Sequence, residues 1–253
     1  MTRVSSKSAT DYLLVDISNS FTKMAFATRN RISRPFRLAT KELTRIELQR
    51  CLRGRDVRTL VVSSVVPEKN AAVRAAAGKR KIVWLGPRLK LGVDIDYPTP
   101  KSIGADRLAN AAAVTRLYGY PAIVVDFGTA VTFDIISSAG AYIGGVIAPG
   151  LESMTSFLYQ RTALLPKLNL REPKSAVGKS TREAMLVGAV FGYRGLVREI
   201  IKQIKRKEFA DRKVKVVATG GYAQLIAAQM PEIDAIHPNL TLEGLRFAGN
   251  LNS

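Results

Sequence analysis

Val124-Val125-Asp126-Phe127-Gly128-Thr129-Ala130-Val131-Thr132-Phe133-Asp134 opens as an apolar, β-branched run and breaks at a carboxylate, a glycine and a hydroxyl. It then resumes as an apolar run. This is the pattern of strand, tight turn and strand. A glycine beside a carboxylate lets backbone N–H groups close on phosphate oxygens, while Asp126 can hold a cation or a cation's water against them. An ordinary hairpin whose turn contains Asp and Gly fits the same residues. Upstream, Leu14-Val15-Asp16-Ile17-Ser18-Asn19-Ser20 has the same grammar. Two such turns imply two copies of one βββ-type unit facing each other across a cleft, where a nucleoside triphosphate could lie.

A third carboxylate stands in Gly104-Ala105-Asp106-Arg107. Two prolines hold the preceding Asp94-Ile95-Asp96-Tyr97-Pro98-Thr99-Pro100 extended and exclude regular structure there. Asp106 opens a helix, where it is either a cap complementing the helix dipole, worth ~0.3–1 kcal/mol, or a reacting group. Other chemistries are excluded by count. One histidine, His237, leaves no imidazole cluster for zinc and no histidine-based triad, and one cysteine, Cys51, leaves no intrachain disulfide. Gly178-Lys179-Ser180 resembles the end of a P-loop, but Pro173 occupies the position of its first glycine. No G-x-G-x-x-G follows a strand, so a dinucleotide fold has no support.

The elements that must position these groups are legible from hydrophobic pattern. Strands are expected at 12–17, 22–28 and 32–38, and capping-box spacing of Thr44 and Glu47 starts a helix running through Leu52. A buried strand follows at 59–66, an alanine-rich helix at 68–77 and a strand at 81–85. The helix opened by Asp106 extends to about Arg116. After the second turn, 141–147 is a third strand, and Gly144-Gly145 and Pro149-Gly150 let the backbone pass close to something. A long helix runs from Thr181 to about Lys207, strand 214–219 ends in Gly220-Gly221, and 241–250 is the closing helix. Gly188, Gly192 and Gly195 share one face of the long helix at ~1 kcal/mol each relative to alanine, so a close helix contact is expected. A symmetry mate or the same chain could supply it.

Composition sets the outer limits. With 253 residues, 47% of them hydrophobic, a folded chain with a sizeable core is expected. No run approaches the ~18 apolar residues of a membrane span, and a cytoplasmic location is expected. Residues 1–11 are polar and basic and should fray. The 39 basic against 20 acidic residues give +19. That charge fits either a generally basic surface or a nucleic-acid partner, although few aromatics are interleaved with it for base stacking.

The order and spacing of these segments resemble the type III pantothenate kinases, in the acetate and sugar kinase, heat-shock and actin superfamily. The resemblance spans nearly the whole chain. It rests on Asp16 to Lys23, Ser63-Ser64-Val65-Val66-Pro67, Tyr97 with Pro100 and Gly104-Ala105-Asp106-Arg107, and Asp126-Phe127-Gly128-Thr129-Ala130. It continues through Gly144 to Gly150, Thr162-Ala163-Leu164-Leu165-Pro166, Thr181, Thr219-Gly220-Gly221 and Leu240 to Leu245. It implies an α/β fold of two similar ribonuclease H-like (actin-like ATPase) domains, 1–117 and 118–253, with a nucleotide cleft between them. It also implies phosphorylation of pantothenate by ATP, the first committed step of coenzyme A synthesis.

Carried over by residue, the resemblance makes Asp106 the base for the pantothenate hydroxyl. Asp16 positions magnesium and the phosphates, and Ser18, Asn19, Ser20, Phe21, Thr22 and Lys23 complete the first loop. Asp126 becomes the ligand of a monovalent cation, potassium or ammonium, with Gly128 and Thr129 on the ATP. Tyr97, Gly104, Ala105, Arg107 and Thr181 contact pantothenate, Thr181 being lent by the partner in a homodimer. Phosphoryl transfer through a loose transition state asks mainly for positioning and charge neutralisation, which carboxylates, cations and backbone donors supply. A relative with weak or no kinase activity, acting as a basic nucleic-acid-binding or transcription accessory protein, is the alternative implied. The family's Asp-x-Gly-Asn-Thr stands here as Asp16-Ile17-Ser18-Asn19-Ser20. Ser18 in place of glycine implies a loop either strained, and relieved by Ser18→Gly, or opened so that the hydroxyl meets phosphate.

Overall fold

The structure, a computed structural model, describes residues 11–210 and 212–253. The fraying expected of residues 1–10 lies outside the described residues, while Asp11 is tied in by Arg29 N–H donating to its carboxylate at 3.3 Å.

The chain runs β1 (Tyr12–Ile17), β2 (Phe21–Ala27), β3 (Phe36–Ala39), α1 (Arg45–Leu52), β4 (Thr59–Ser64), α2 (Asn70–Ala77), β5 (Lys81–Trp84), β6 (Asp94–Ile95) and α3 (Ala105–Tyr118). It continues as β7 (Ala122–Phe127), β8 (Ala130–Ile136), β9 (Ala141–Pro149), α4 (Leu151–Arg161), α5 (Thr181–Phe209), β10 (Lys215–Thr219), α6 (Ala223–Ala227), β11 (Ala235–Ile236) and α7 (Leu240–Asn252). Two compact units result. One is the chain up to Val93 with Pro98–Ala113 and Leu240–Ser253; the other is Asp94–Tyr97 with Val114–Asn239. The boundary expected at 117/118 leaves α7 with the second unit, whereas α7 packs on β1 and β4 of the first.

Each unit is built on the same sheet. The first has the order β3-β2-β1-β4-β5, with β2 antiparallel to β1 and β3, and β4 parallel to β1 and β5. The second has the order β11-β10-β7-β8-β9-β6. Read from β9 to β11 it repeats the first sheet strand for strand, including every parallel and antiparallel pairing. The duplication expected from the two carboxylate turns is therefore present in the topology. The added edge strand β6 pairs parallel with β9, so Asp94 and Ile95 are regular where the flanking prolines argue for irregular chain.

Alternation sorts each central strand into two faces. Leu13, Val15 and Ile17 enter one apolar core with Leu48 and Leu52 of α1 and Val73 of α2. Ile123, Val125 and Phe127 enter the other with Val190, Tyr193 and Val197 of α5. Asp16 and Asp126 belong to the opposite set in both sheets. In the first unit that opposite face lies under α7, where Gly249 sits so near Val61 and Tyr12 that a Cβ would crowd the Val61 methyl at 2.9 Å. Between α3 and α7, Gly244 lies directly on the backbone of Ala109, and Thr241 donates its hydroxyl to Asn110 at 2.9 Å. The buried alanines of α3 permit this approach and fix the helix that begins at Ala105.

The third strand expected at 32–38 is Phe36–Ala39, with Ile32 making an isolated bridge to Ala27. Helix α4 has no counterpart among the expected elements.

Candidate active site

In the first unit, Asp16 is the penultimate residue of β1 and is 8% exposed. Strand register places Lys23 of β2 on one side of it and Ser63 of β4 on the other. Ser63 is fully buried, and its hydroxyl has no hydrogen-bond partner among the described residues. The loop beyond is closed by Ser18 N–H donating to the Phe21 carbonyl at 3.2 Å. Asn19, Ser20 and Phe21 are exposed, the Phe21 ring lying under the Arg37 guanidinium at 4.6 Å.

Two expectations fail in this loop. Ser18 does not occupy the left-handed region, which among the described non-glycine residues holds Ala210 alone. The strain that a serine would store there is absent, because the turn closes without a positive φ. Thr22 is fully buried and its hydroxyl lies 3.1 Å from that of Thr40, so it points into the fold rather than toward a ligand. Even alternation explains this, since Thr22 and Met24 share the face opposite to Lys23.

Still in the first unit, Gly104, Ala105, Asp106 and Arg107 form one cluster at the start of α3. Arg107 N–H donates to the Asp106 carboxylate at 2.9 Å. A Cβ on Gly104 would sit 2.5 Å from the same carboxylate oxygen and against the Arg107 side chain, so glycine here clears the place the carboxylate occupies. Burial raises the pKa of Asp106 above the usual carboxylate range, against the opposing pull of the Arg107 N–H and guanidinium. A cap that merely complements a helix dipole would be held low. A desolvated carboxylate with an elevated pKa is instead a better proton acceptor near neutrality.

The second unit's turn is approached closely by the backbone of two other segments, while Thr129 at its tip stays exposed. Register places Thr132 of β8 and Thr219 of β10 beside Asp126. Gly128 N–H donates to the Ala130 carbonyl at 3.1 Å. Gly150 lies directly on the carbonyls of Gly128 and Thr129, and Ser153 donates its hydroxyl to the Thr129 carbonyl at 2.8 Å. Gly220, at φ +95°, leaves no room for a Cβ against Asp126 and the Phe127 backbone. Three segments read separately in the sequence, Asp126 to Ala130, Pro149-Gly150 and Thr219-Gly220-Gly221, thus meet at one turn. Beside it Tyr222 donates to Glu152 at 2.8 Å, at the edge of a cavity of about 280 Å³ lined also by Lys167, Asn169 and Leu170. Burial and this carboxylate push the Tyr222 phenol up to about 12, so it stays a donor.

Tyr97 stacks edge-on to Tyr142, with ring centroids 6.1 Å apart, and its ring lies over Gly144, whose φ of +135° is a backbone conformation that residues with a side chain rarely adopt. Thr181, exposed, is the first residue of α5. Ser180 caps that helix by accepting from Glu183 N–H at 3.3 Å, and Glu183 accepts from Lys179 N–H at 2.8 Å. Gly178 packs on the Ala184 backbone, so the Gly178-Lys179-Ser180 triplet serves the helix start, not a phosphate. The preceding segment is tied down by Arg194, which is buried, binds Glu172 through two hydrogen bonds and donates to the carbonyls of Leu225 and Ile226.

Ser63, Thr40, Ser153 and Glu152 were not marked as site residues in the sequence reading. Ser63 alone carried a signal, as a hydroxyl ending a buried strand level with Asp16.

The family model for type III pantothenate kinase matches residues 12–203. The chain belongs to the type III pantothenate kinase family. A type III pantothenate kinase of Akkermansia muciniphila is 47% identical over 95% of this chain and 99% of its own length. That of Methylacidiphilum infernorum is 44% identical over 94% and 88%. Among solved structures, the (R)-2-hydroxyglutaryl-CoA dehydratase component A of Acidaminococcus fermentans matches 95% of this chain and 96% of its own, with a TM-score of 0.55 at 14% identity. That similarity shows the fold. As a type III pantothenate kinase, the chain transfers a phosphoryl group from ATP to pantothenate in coenzyme A synthesis.

The donor sets fit the ions such a kinase would use. Among the described residues no three His, Cys, Asp or Glu side chains gather to cage a metal. Asp16 therefore suits magnesium held mainly by phosphates and water, as that ion prefers. Asp126, between two threonines, offers only oxygen donors, which suit a hard cation. No helix among the described residues is long and apolar enough to cross a membrane.

Proposed function

We propose that Asp106 is the general base of this kinase, accepting the proton of the pantothenate hydroxyl as the hydroxyl oxygen attacks the γ-phosphorus of ATP. The bond to the β–γ bridging oxygen breaks and ADP leaves. The observation that carries this reading is the desolvated carboxylate of Asp106, held by Arg107 N–H and given room by Gly104. Arg107 supplies a fixed positive fork for the pantothenate carboxylate or the transferring phosphoryl group. Asp16, Asn19, Ser20 and Lys23 receive the phosphates with magnesium, and Thr129 contacts the nucleotide beside Asp126 and its monovalent cation. Magnesium supplies charge neutralisation at the phosphates when bound. Tyr97 and Thr181 complete pantothenate recognition, and the reaction takes place in the cytoplasm. ADP release measured with and without pantothenate, for the wild type and for Asp106→Asn, tests the assignment. Pantothenate-dependent release must vanish in the variant while nucleotide binding survives.

The working form in this reading is a homodimer that shares its sites. Among the described residues, Gly188, Gly192 and Gly195 have no atom within 4 Å of where a Cβ would stand, so the close contact expected for them is not made there. Phe191, on the same helix, is 38% exposed. A symmetry mate packed on this face recovers the cost of the glycines and brings its Thr181 to the neighbouring site. Sedimentation at micromolar concentration should give a dimer; a monomer alone would end the proposal. The nucleic-acid alternative has only the charge of +19 in its favour.

A further inference from the structure

The loop between β1 and β2 is short and two of its three residues are exposed, yet its carbonyls are held by a residue far along the chain. Thr40, 2% exposed, follows β3 and opens a single 3₁₀ turn. Its hydroxyl donates to the Ser18 carbonyl at 2.6 Å, and its N–H donates to the Ser20 carbonyl at 3.0 Å. The hydroxyl of Thr22 lies 3.1 Å from the same oxygen and, with the Thr40 proton committed to Ser18, is the donor of that pair. Thr40 therefore grips the loop at two alternate carbonyls, Ser18 and Ser20. Fixing those carbonyls inward turns the N–H groups of Asn19 and Phe21 the other way, because each peptide is planar and the N–H of the next residue opposes its C=O. The 3₁₀ turn is itself anchored, since Lys69 donates its ammonium to the carbonyls of Lys41 at 3.0 Å and Leu43 at 3.4 Å.

We propose that Thr40 is a positioning residue for ATP, setting the orientation of the peptides at 18–20 that close on the phosphates. This rests on the reading that the Asp16 loop is the phosphate loop. Thr40 touches no substrate and acts through Ser18 and Ser20. Thr40→Val keeps the β-branched shape and the N–H bond to Ser20, but removes the bond to the Ser18 carbonyl and strands the Thr22 hydroxyl.

The test is steady-state kinetics with ATP and pantothenate varied separately. Thr40→Val should raise KM for ATP about tenfold, the scale of losing a buried hydrogen bond, with KM for pantothenate unchanged within about twofold. Thr40→Ser, which restores the hydroxyl, should return KM for ATP to within about threefold of the wild type. KM does not depend on the fraction of enzyme that is folded, so a general loss of stability would lower apparent kcat and leave this split unmoved. A Thr40→Val enzyme whose KM for ATP stays within about twofold of the wild type, or rises equally for both substrates, overturns the proposal. So does a serine variant no better than valine. Asp16→Ala, measured alongside, separates the two premises. If it leaves KM for ATP unchanged, the loop is not the phosphate loop; if it raises KM while Thr40→Val does not, Thr40 alone is misassigned.

Discussion

The two carboxylate turns occupy equivalent points of the two sheets, between the first and second strands of each repeat, but they are braced differently. Around Asp126 the bracing is chiefly backbone against backbone, with the Ser153 hydroxyl added on the Thr129 carbonyl. Gly150 and Gly220 bring their segments onto the turn so closely that neither could carry a side chain. Around Asp16 the bracing is a side chain, the Thr40 hydroxyl reaching the Ser18 carbonyl, with no glycine in the loop at all. A turn clamped by backbone is rigid but intolerant of substitution. A turn held by one hydroxyl tolerates substitution at its own residues and concentrates its vulnerability elsewhere. The first unit also carries Asp106, whose proposed chemistry depends on burial rather than on a clamp.

The largest effect is expected at that carboxylate. Asp106→Asn should lower kcat by about 10²–10⁴ while ATP still binds, since proton acceptance is lost and the phosphate loop is untouched. In the wild type, kcat/KM should fall on the acid side through an apparent pKa displaced upward from the ordinary carboxylate range, because the base must be ionised. The stability consequence has the opposite sign. A carboxyl whose folded pKa is raised stabilises the fold below its unfolded pKa, and that contribution is lost as pH rises through the folded value. At neutral pH the ionised Asp106 therefore costs stability, and Asp106→Asn should raise Tm at pH 7 and have no such advantage at pH 3. A variant that kept more than about a tenth of wild-type kcat would return Asp106 to the role of helix cap.

A smaller but still clear effect should separate the two turns. Gly220→Ala must adopt φ +95° and place its Cβ 2.6 Å from Phe127 N, a backbone atom that cannot swing aside. It should destabilise by ~2–4 kcal/mol, lowering Tm by roughly 4–16 °C in a chain of this size. Thermal unfolding checks it. A loss below ~1 kcal/mol would mean that the second turn is not clamped and that the contrast with the first is false.

The repeat was legible because its signal is local: an apolar strand ending in Asp and small polar residues, written twice. Asp106 was legible as a carboxylate at a helix start, but cap and base have the same sequence, and only burial separates them. Thr40 left no trace because its partners lie 22 and 20 positions away, and a threonine after a short strand is unremarkable locally. Thr22 misled in the complementary way. Its hydroxyl suggested a phosphate contact, and the face of β2 on which it falls turns that hydroxyl inward. The glycines divided similarly: the open row at 188, 192 and 195 was visible as helical spacing, whereas Gly244 and Gly249, which make tight contacts inside the chain, are five residues apart and share no helical face.

The smallest effect belongs to Ser18, the topological counterpart of Gly128. At Gly128 a Cβ would meet the Ala130 carbonyl at 3.4 Å, an ordinary contact, and φ is not positive. Ser18 shares that freedom from the left-handed region, so the first turn has no conformational reason to prefer glycine. Its carbonyl already satisfies Thr40 and its N–H the Phe21 carbonyl, both backbone groups that glycine would keep. Ser18→Gly therefore relieves nothing and adds freedom to the unfolded chain and to the loop, costing ~0.5–1 kcal/mol. KM for ATP should stay level or rise by less than about threefold, with KM for pantothenate unmoved. A several-fold fall in KM for ATP would show strain after all and cancel the account of a turn held from Thr40. A rise of about tenfold would place the serine hydroxyl itself on the phosphates, since a lost hydrogen bond to a charged group is of at least that size.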